Sequence, residues 1–514
     1  MGILVLTWLL PVGLAIVLLI IATSGKVLFL QPRTLAEAAT GLLIASLPFA
    51  AVTPFTFVTK LIIVILQLVL LLLAGRLLFG RLDKAFVYPS TRSNAYVVSA
   101  MILIICAGWW LAVSFPGILG GYEWRWLVLF AAVFVMQLVF FRQLLWSFKH
   151  YHLTALSTKR SLKELPTVSV CVPARNEDHA LEDCLTTALA TTYPKLEVLV
   201  LDDCSQDKTS QIIRSFAHDG VRFIQGEAPA DGWLGKNQAM QTLADQATGE
   251  YLLFIDVDTF LSTTSIAQLV DYALNEHAEM IAVLPQNRLK VEPGAIFDTL
   301  RDFWQVVLPL TRRRISVTDQ AWLIRAKTLK ELGAFKSVAH KIVPETTFAR
   351  HLFSANTYRF IAGGNSLGIT TAKKWRSEID SARRILYPTY HRQPVVALAA
   401  IVYVAFAELA PLVLAAWLVT QGQYGLLLWL SIVLTLIVFV NFALVIRRTH
   451  PRVWIIATLM LPVVAIQEIV MIVMSMLNYE FGAIDWKGRN VCYPVILSEQ
   501  NRLARSVSSQ LRRL

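Results

Sequence analysis

Long, nearly charge-free runs occupy the two ends of the chain, and a stretch of short-period patterning lies between them. Apolar runs of spanning length cover about 3–22, 38–58, 61–80, 95–115 and 125–147, and three more cover 394–419, 424–446 and 453–477. Crossing the hydrocarbon core of a bilayer takes about 20 such residues in a helix. Residues 150–393 read instead as an ordinary soluble domain. Thr167–Pro173 is a short β-rich run closed by proline, and Leu196–Leu201 is almost continuously apolar, as in a parallel strand buried on both faces. Val221–Gln225 and Tyr251–Ile255 are a third and fourth strand, with helices predicted over Asn176–Ala190, Gln206–Ala217 and Asn237–Gln246. This alternation predicts a Rossmann-like α/β domain with a mostly parallel sheet covered on both faces, flanked by transmembrane helices. The expected organisation is an N-terminal transmembrane region of about five spans (1–147), a soluble domain (150–393), a C-terminal region of two or three spans (394–477) and a basic tail (478–514).

Composition narrows the class. Of 514 residues, 56% are hydrophobic and only 16% charged, against about 25% charged in a typical soluble domain. That excludes intrinsic disorder and argues against a wholly soluble protein. The net charge of +12 comes without a basic repeat or an aromatic RNA-binding pattern, so membrane headgroups and anionic nucleotides are the expected partners and nucleic acid is not. Five cysteines with no Cys-x-x-Cys pair imply neither a disulfide framework nor a zinc site. The first apolar run, Ile3–Ala22, lacks a basic leader and is longer than a signal-peptide core, so it reads as a retained anchor.

Loop charge sets the expected orientation. With the soluble domain in the cytoplasm, Arg81, Lys84 and Arg92, and later Arg447, Arg448 and Arg452, fall on the cytoplasmic side of a cell inner (plasma) membrane. Three full C-terminal spans would then carry Lys487, Arg489, Arg502, Arg505, Arg512 and Arg513 outside. One of those segments is therefore expected to be re-entrant or interfacial, either the one with Glu408 and Pro411 or the one with Pro462 and Glu468.

The chemistry concentrates in the soluble domain. Asp202 and Asp203 end the second strand, and Asp256 and Asp258 end the fourth. In open α/β sheets ligands bind beyond the carboxyl ends of the strands. Carboxylates there recognise ribose hydroxyls or hold a hard divalent cation, which keeps phosphate oxygens in its shell. An Asp after a strand also serves as a helix cap or turn former; two acidic pairs in one βα array point to a site. Between them, Gly232-Trp-Leu-Gly235-Lys236-Asn237 places a lysine at a helix start, where anions are favoured. No Walker A sequence is present.

Pro173-Ala-Arg175-Asn176-Glu177, Asp-Asp-Cys-Ser, Gly235-Lys236 and Asp256-Val-Asp258 occur in the order seen in membrane-bound family 2 inverting glycosyltransferases of the GT-A fold. The pattern resembles the branch of carotenoid (4,4'-diaponeurosporenoate) and hopanoid-associated enzymes. The resemblance covers roughly 166–375 well, and leaves 1–120 unmatched. It implies that Pro173, Arg175, Glu177, Asp202, Asp203, Lys236 and Asp256 bind a nucleotide-sugar donor, and that Asp258 coordinates Mg or Mn on the diphosphate. Asp319-Gln320-Ala-Trp322 and Asp485-Trp-Lys487-Gly-Arg489 match segments that imply acceptor-side roles for Gln320, Trp322, Lys487 and Arg489. In Pro344-Glu345-Thr-Thr-Phe-Ala349-Arg350, Glu345 stands where relatives carry the catalytic base, an Asp, and Pro344 replaces their Glu. The Gln-x-x-Arg-Trp of processive synthases is missing; Trp375-Arg376 and Arg383-Arg384 are the nearest basic and aromatic pairs. The resemblance thus implies metal-dependent, inverting transfer of one sugar to a lipid acceptor. The alternatives are a transporter or flippase with a non-catalytic domain, or a scaffold that binds nucleotide-sugar without turnover.

Overall fold

The protein is described by a computed structural model over residues 133–135, 137–145, 160–288, 296–307, 315–364, 367–390, 392–480 and 484–491. The expected N-terminal spans, apart from helical residues within 133–145, and the tail beyond 491 lie outside the described residues.

The βα alternation builds the frame: β1 (Val168–Ala174), α1 (Leu181–Leu189), β2 (Leu196–Asp202), α2 (Thr209–Ser215), β3 (Val221–Gln225), α3 (Gly235–Gln246) and β4 (Tyr251–Ile255). After it come β5 (Thr259–Phe260), α4 (Ser265–Asn275), β6 (Met280–Leu284), β7 (Gln286–Asn287), α5 (Thr299–Val307), β8 (Ala321–Arg325), α6 (Ala326–Glu331), α7 (Glu345–Ser354), β9 (Tyr358–Ala362) and β10 (Thr370–Thr371). The main sheet has the order β3-β2-β1-β4-β8-β6-β9. Every pairing in it is parallel except those of β8, which runs antiparallel between β4 and β6. This is a GT-A-like domain.

Side-chain alternation fixes the register. Val168, Val170, Val172, Val198 and Val200 face α1 and α4, while Cys171, Leu199 and Leu201 face α3. A one-residue slip would exchange the two faces. The predicted strands fall within a residue of the observed ones. The first helix starts five residues later than expected, because 175–180 is instead locked to the loop after β2: Asn176 N–H donates to Ser205 Oγ (3.0 Å), Gln206 N–H to Asn176 Oδ1 (2.9 Å) and Glu177 N–H to Thr209 Oγ1 (2.8 Å).

A small second sheet, β5-β10-β7, folds over the end of β4. From there α8 (Trp375–Thr389) leads to α9 (Pro394–Val404), a π-helical turn (Ala405–Leu409), α10 (Ala410–Thr420), α11 (Leu426–Thr449), α12 (Trp454–Leu459) and α13 (Leu461–Glu480). Val396–Thr420, Leu426–Thr449 and Leu461–Glu480 are long and apolar enough to cross a membrane, by length and composition. Their outward faces carry exposed Val413, Trp417, Trp429, Leu436 and Ile466. Their inward faces join the domain core: Leu300 and Phe303 of α5 pack with Phe442 of α11 and Val464 of α13 in one cluster that reaches the sheet.

Contacts place the ends of these helices. The turn at 421–425 between α10 and α11 is exposed. The far end of α11 is back on the domain, where Arg448 O accepts from Gln286 Nε2 (2.9 Å) and the His450 ring lies 3.0 Å from Asp298 Oδ1. Helix α13 then lies against the domain: Glu468 pairs with Arg301 (3.6 Å), and Glu480 accepts from the Tyr387 hydroxyl (2.7 Å). It ends in a hairpin, β11 (Asp485–Trp486) and β12 (Arg489–Asn490), joined by Lys487 (φ 50°) and Gly488 (φ 78°). Two consecutive positive φ values are the geometry of a two-residue type I′ turn, which favours glycine second. Both segments weighed for an interfacial position touch the domain, Tyr403 against Trp304 and Glu468 against Arg301.

Candidate active site

The rim sits at the carboxyl ends of β1, β2 and β4. Pro173, Arg175, Glu177, Asp203, Lys236, Asp256, Asp258, Lys373, Ser377, Ser381, Arg384, Trp486 and Lys487 line one pocket there. Most of the expected donor-site residues are therefore brought together. The strand ends place them, because β1, β2 and β4 are neighbours and their following loops open on the same edge.

Lys236, second residue of α3, donates to Asp256 Oδ1 at 2.7 Å and lies 3.4 Å from Asp319 Oδ2. Arg384 reaches the same Asp319 oxygen at 3.6 Å. Burial opposes the charge on Lys236, and Asp256 and Asp319 more than offset it, holding the ammonium protonated above its usual range. Burial likewise opposes ionisation of Asp319, but Lys236, Lys373 and Arg384 keep its carboxyl below the usual range.

Asp258 differs. Burial pushes its carboxyl up to about 7, with Lys373 opposing and Asp256 adding. Its Oδ1 is buried without a hydrogen-bond partner. An orphaned carboxylate oxygen at a polar rim suits a hard cation. No cluster of three or more His, Cys, Asp or Glu that could hold a metal exists among the described residues. A cation on Asp258 would therefore draw its other ligands from phosphate and water, the habit of Mg²⁺. The residues present fit such an ion.

Asp202, expected beside Asp203 in the site, is turned inward. Its carboxylate accepts from Ser205 N–H (3.0 Å) and Ser210 Oγ (2.5 Å), so it holds the turn that presents Asp203. Asp203 faces the pocket and takes the Arg489 guanidinium at 2.6 Å. Burial raises its carboxyl, partly countered by Arg489. Gly235 leaves room for this pair, because a Cβ would stand 2.8 Å from Asp203 Oδ2 and displace the Arg489 guanidinium.

The Trp-Lys-Gly-Arg hairpin thus lies on Glu177 and Asp203 rather than on a separate acceptor face. Lys487 pairs with Glu177 and donates to Arg175 O (2.7 Å), while Arg175 Nε donates back to Lys487 O (3.2 Å). Trp486 lies under Arg384, 4.9 Å from the guanidinium carbon to the ring centre. Trp322, also expected on the acceptor side, is a core residue: β8 alternation turns it inward, where it is fully buried and stacked on Phe254 at 4.4 Å. Gln320 lies in the loop before β8 and holds the rim through its backbone, its carbonyl accepting from Asp256 N–H (2.9 Å) and Thr259 Oγ1 (3.0 Å).

Glu345 opens α7 and is fully buried; neither carboxylate oxygen has a hydrogen-bond partner. Burial lifts it to about 8, with Lys236 opposing. It feels the charges of Lys236, Asp319 and Asp256 but does not line the pocket.

Sequence reasoning missed Lys373, Ser377 and Ser381, and left Arg384 as one of several basic candidates. The position of Arg384 follows from Pro388. A proline cannot donate to the carbonyl four residues back, and Tyr479 Oη of α13 donates to that carbonyl, Arg384 O, instead (2.7 Å). Ser475, one turn earlier, accepts from Tyr387 N–H (3.0 Å) and donates to Arg383 O (2.7 Å). The break in α8 is filled by α13, a pairing no local pattern reveals.

Residues 169–313 match the family "Glycosyl transferase family 2"; the chain carries a domain of that family. It is 28% identical over 158 residues to the probable glycosyltransferase YdaM of Bacillus subtilis (strain 168), covering 29% of this chain and 36% of the relative. It is 26% identical over 136 residues to a 4,4'-diaponeurosporenoate glycosyltransferase of Staphylococcus haemolyticus, covering 26% and 36%. The matched span is thus about a third of the length of these relatives. Among solved structures, the mannosyltransferase PcManGT of Pyrobaculum calidifontis, in complex with GDP-Man and Mn²⁺, aligns at 20% identity and a TM-score of 0.40, over 67% of this chain and 97% of that one.

Proposed function

We propose that the protein transfers a single sugar, with inversion, from a nucleotide-sugar to a lipid acceptor at the cytoplasmic face of the membrane. The observation that carries this reading is the orphaned, buried Asp258 oxygen on a rim where Asp256 is held by Lys236 and Asp203 by Arg489. Asp203, Arg175 and Glu177 would bind the nucleoside, and Asp256 with Lys236 would orient the sugar. Mg²⁺ or Mn²⁺ on Asp258 would supply positive charge to the diphosphate leaving group. Glu345 would take the proton from the acceptor hydroxyl at its carboxylate, once the acceptor side of the pocket opens onto it. A basic group of pKa near 8 is well matched to that task.

The membrane reading rests on the apolar helices and on where the basic loop lies. Arg447 and Arg448 lie in the last turn of α11 and Arg452 just beyond it, with Arg452 donating to Arg288 O. A cytoplasmic domain then agrees with the positive-inside rule. Two crossings, α9–α10 out and α11 back, leave α13 at the interface and the hairpin on the domain side. An acceptor embedded in the bilayer would meet the pocket where its local concentration is high.

The test is transfer by the full-length protein in detergent or nanodiscs, with a panel of UDP- and GDP-sugars, Mn²⁺ and a membrane lipid extract, read by mass spectrometry. Sugar on a lipid product supports the proposal. Donor binding with no transfer or hydrolysis under any condition would point to the scaffold reading.

A further inference from the structure

Lys373 stands between two carboxylates and pairs with only one of them. The joining of β10 to β5 sets its backbone beside the acidic turn, where Ala372 N–H donates to Asp258 O (3.2 Å). Its ammonium is buried, yet it forms no ion pair with Asp258, whose Oδ1 stays without a partner. It pairs instead with Glu378 Oε2, 3.7 Å away in the first turn of α8. Burial opposes the charge on Lys373, and Glu378 supports that charge more than Asp258 does.

Glu378 is itself fixed. It is buried, and its other oxygen takes one terminal nitrogen of Arg301 on α5. The second terminal nitrogen of Arg301 lies 3.6 Å from Glu468 of α13. The neighbouring carboxylates of the pocket are already matched: Asp256 pairs with Lys236, and Asp319 with Lys236 and Arg384. Of Asp256, Asp258 and Asp319, Asp258 alone has no ion pair. An ammonium released from Glu378 would settle there, because a buried charge left unpaired is costly.

We propose that Glu378 is a positioning residue that draws the Lys373 ammonium away from Asp258 and so keeps that carboxylate open to a divalent cation. This deepens the metal assignment of Asp258 and rests on it. Arg301 holds Glu378 to the task from the other side, so the open state of Asp258 depends on a buried chain of charges that ends on α13.

The experiment is Mn²⁺ binding to the full-length protein in detergent, alone and with UDP or GDP, with the free ion read by electron paramagnetic resonance. Asp258→Asn should lose the ion. Glu378→Gln should bind it at least about tenfold more weakly, because the ammonium must first be displaced. Adding Lys373→Met to Glu378→Gln should restore the affinity to within about threefold of the wild type, a recovery that a merely structural role for Glu378 would not give. Glu378→Asp is the second variant. It keeps a charge for Arg301 and draws it back from Lys373 by one methylene, so it should weaken Mn²⁺ binding less, with the same recovery on adding Lys373→Met. Wild-type Mn²⁺ affinity in Glu378→Gln, or in Glu378→Asp where the Gln variant does not fold, overturns the proposal. A loss that Lys373→Met does not recover also overturns it, and either result leaves the donor reading intact. A wild type that binds no Mn²⁺ in any of these conditions, or an Asp258→Asn variant that still binds it, overturns the metal assignment as well.

Discussion

Arg489 and Asp203, 286 positions apart in the chain, meet at 2.6 Å over Gly235. The contact ties the end of the apolar helical region to the turn after β2. The carboxylate is nearly buried, its side chain 6% exposed. Removing one partner of such a pair leaves the other uncompensated, at a cost of about 3–5 kcal/mol. Arg489→Met should therefore lower the melting temperature and weaken nucleotide binding, and Asp203→Asn in the same chain should recover stability but not binding. A double-mutant cycle should give a coupling of about 1–3 kcal/mol; additive single effects would show that the pair holds nothing.

Gly235→Ala probes the same contact from the third side. A Cβ at this position meets both Asp203 and the Arg489 head group. The guanidinium is the flexible end and must move. Nucleotide affinity should fall by about the same factor as in Arg489→Met, with less loss of stability because Ala favours the helix. Equal affinity to wild type would mean that Arg489 leaves Asp203 at no cost.

Asp258→Asn should separate activity from stability. It removes the charge a hard cation needs, so transfer should drop by orders of magnitude. It also removes a carboxyl that burial has raised to about 7. A raised folded-state pKa means that the wild type loses stability as pH climbs from the unfolded value through about 7. The Asn variant should therefore gain melting temperature over the wild type at pH 8 and little at pH 5. Near-wild-type turnover with unchanged Mn²⁺ dependence would remove Asp258 from the metal role.

Glu345→Gln should lower single-turnover transfer by about 10²–10⁴-fold with donor affinity unchanged. The pH dependence is a second readout. The folded carboxyl, near 8, binds a proton that the unfolded chain has released above its usual value. Stability thus falls with rising pH between the two, by at most about 1.4 kcal/mol per unit. The Gln variant should lose that slope, and the wild-type rate should rise to a plateau above about pH 8. A variant with the same pH–stability slope as wild type would show that Glu345 does not titrate in this range.

The orientation of α10 and α11 can be tested by labelling intact cells. A cysteine at Gln423, in the exposed turn between α10 and α11, should react with an impermeant reagent, and one at Arg448 should not. Reaction at Arg448 would reverse the orientation.

The sequence by itself determined the frame. Nearly continuous apolar runs such as Leu196–Leu201, short and bounded by turn residues, read as strands buried on both faces, and the Asp pairs that end them fall at one rim because parallel strands share their carboxyl edge. Its local patterns also marked the three C-terminal helices that are long and apolar enough to cross a membrane. Tertiary structure decided the roles within that frame. Asp202 and Asp203 are indistinguishable as letters, yet one bonds Ser205 and Ser210 while the other faces the pocket. Trp322 stacks in the core because β8 enters the sheet antiparallel. Lys373 and Arg384 reach the site through β10 pairing and through Tyr479 bonding the carbonyl that Pro388 leaves free. The Arg384 and Arg489 placements depend on contacts between segments about 90 to 290 residues apart, and local periodicity carries no record of such pairings.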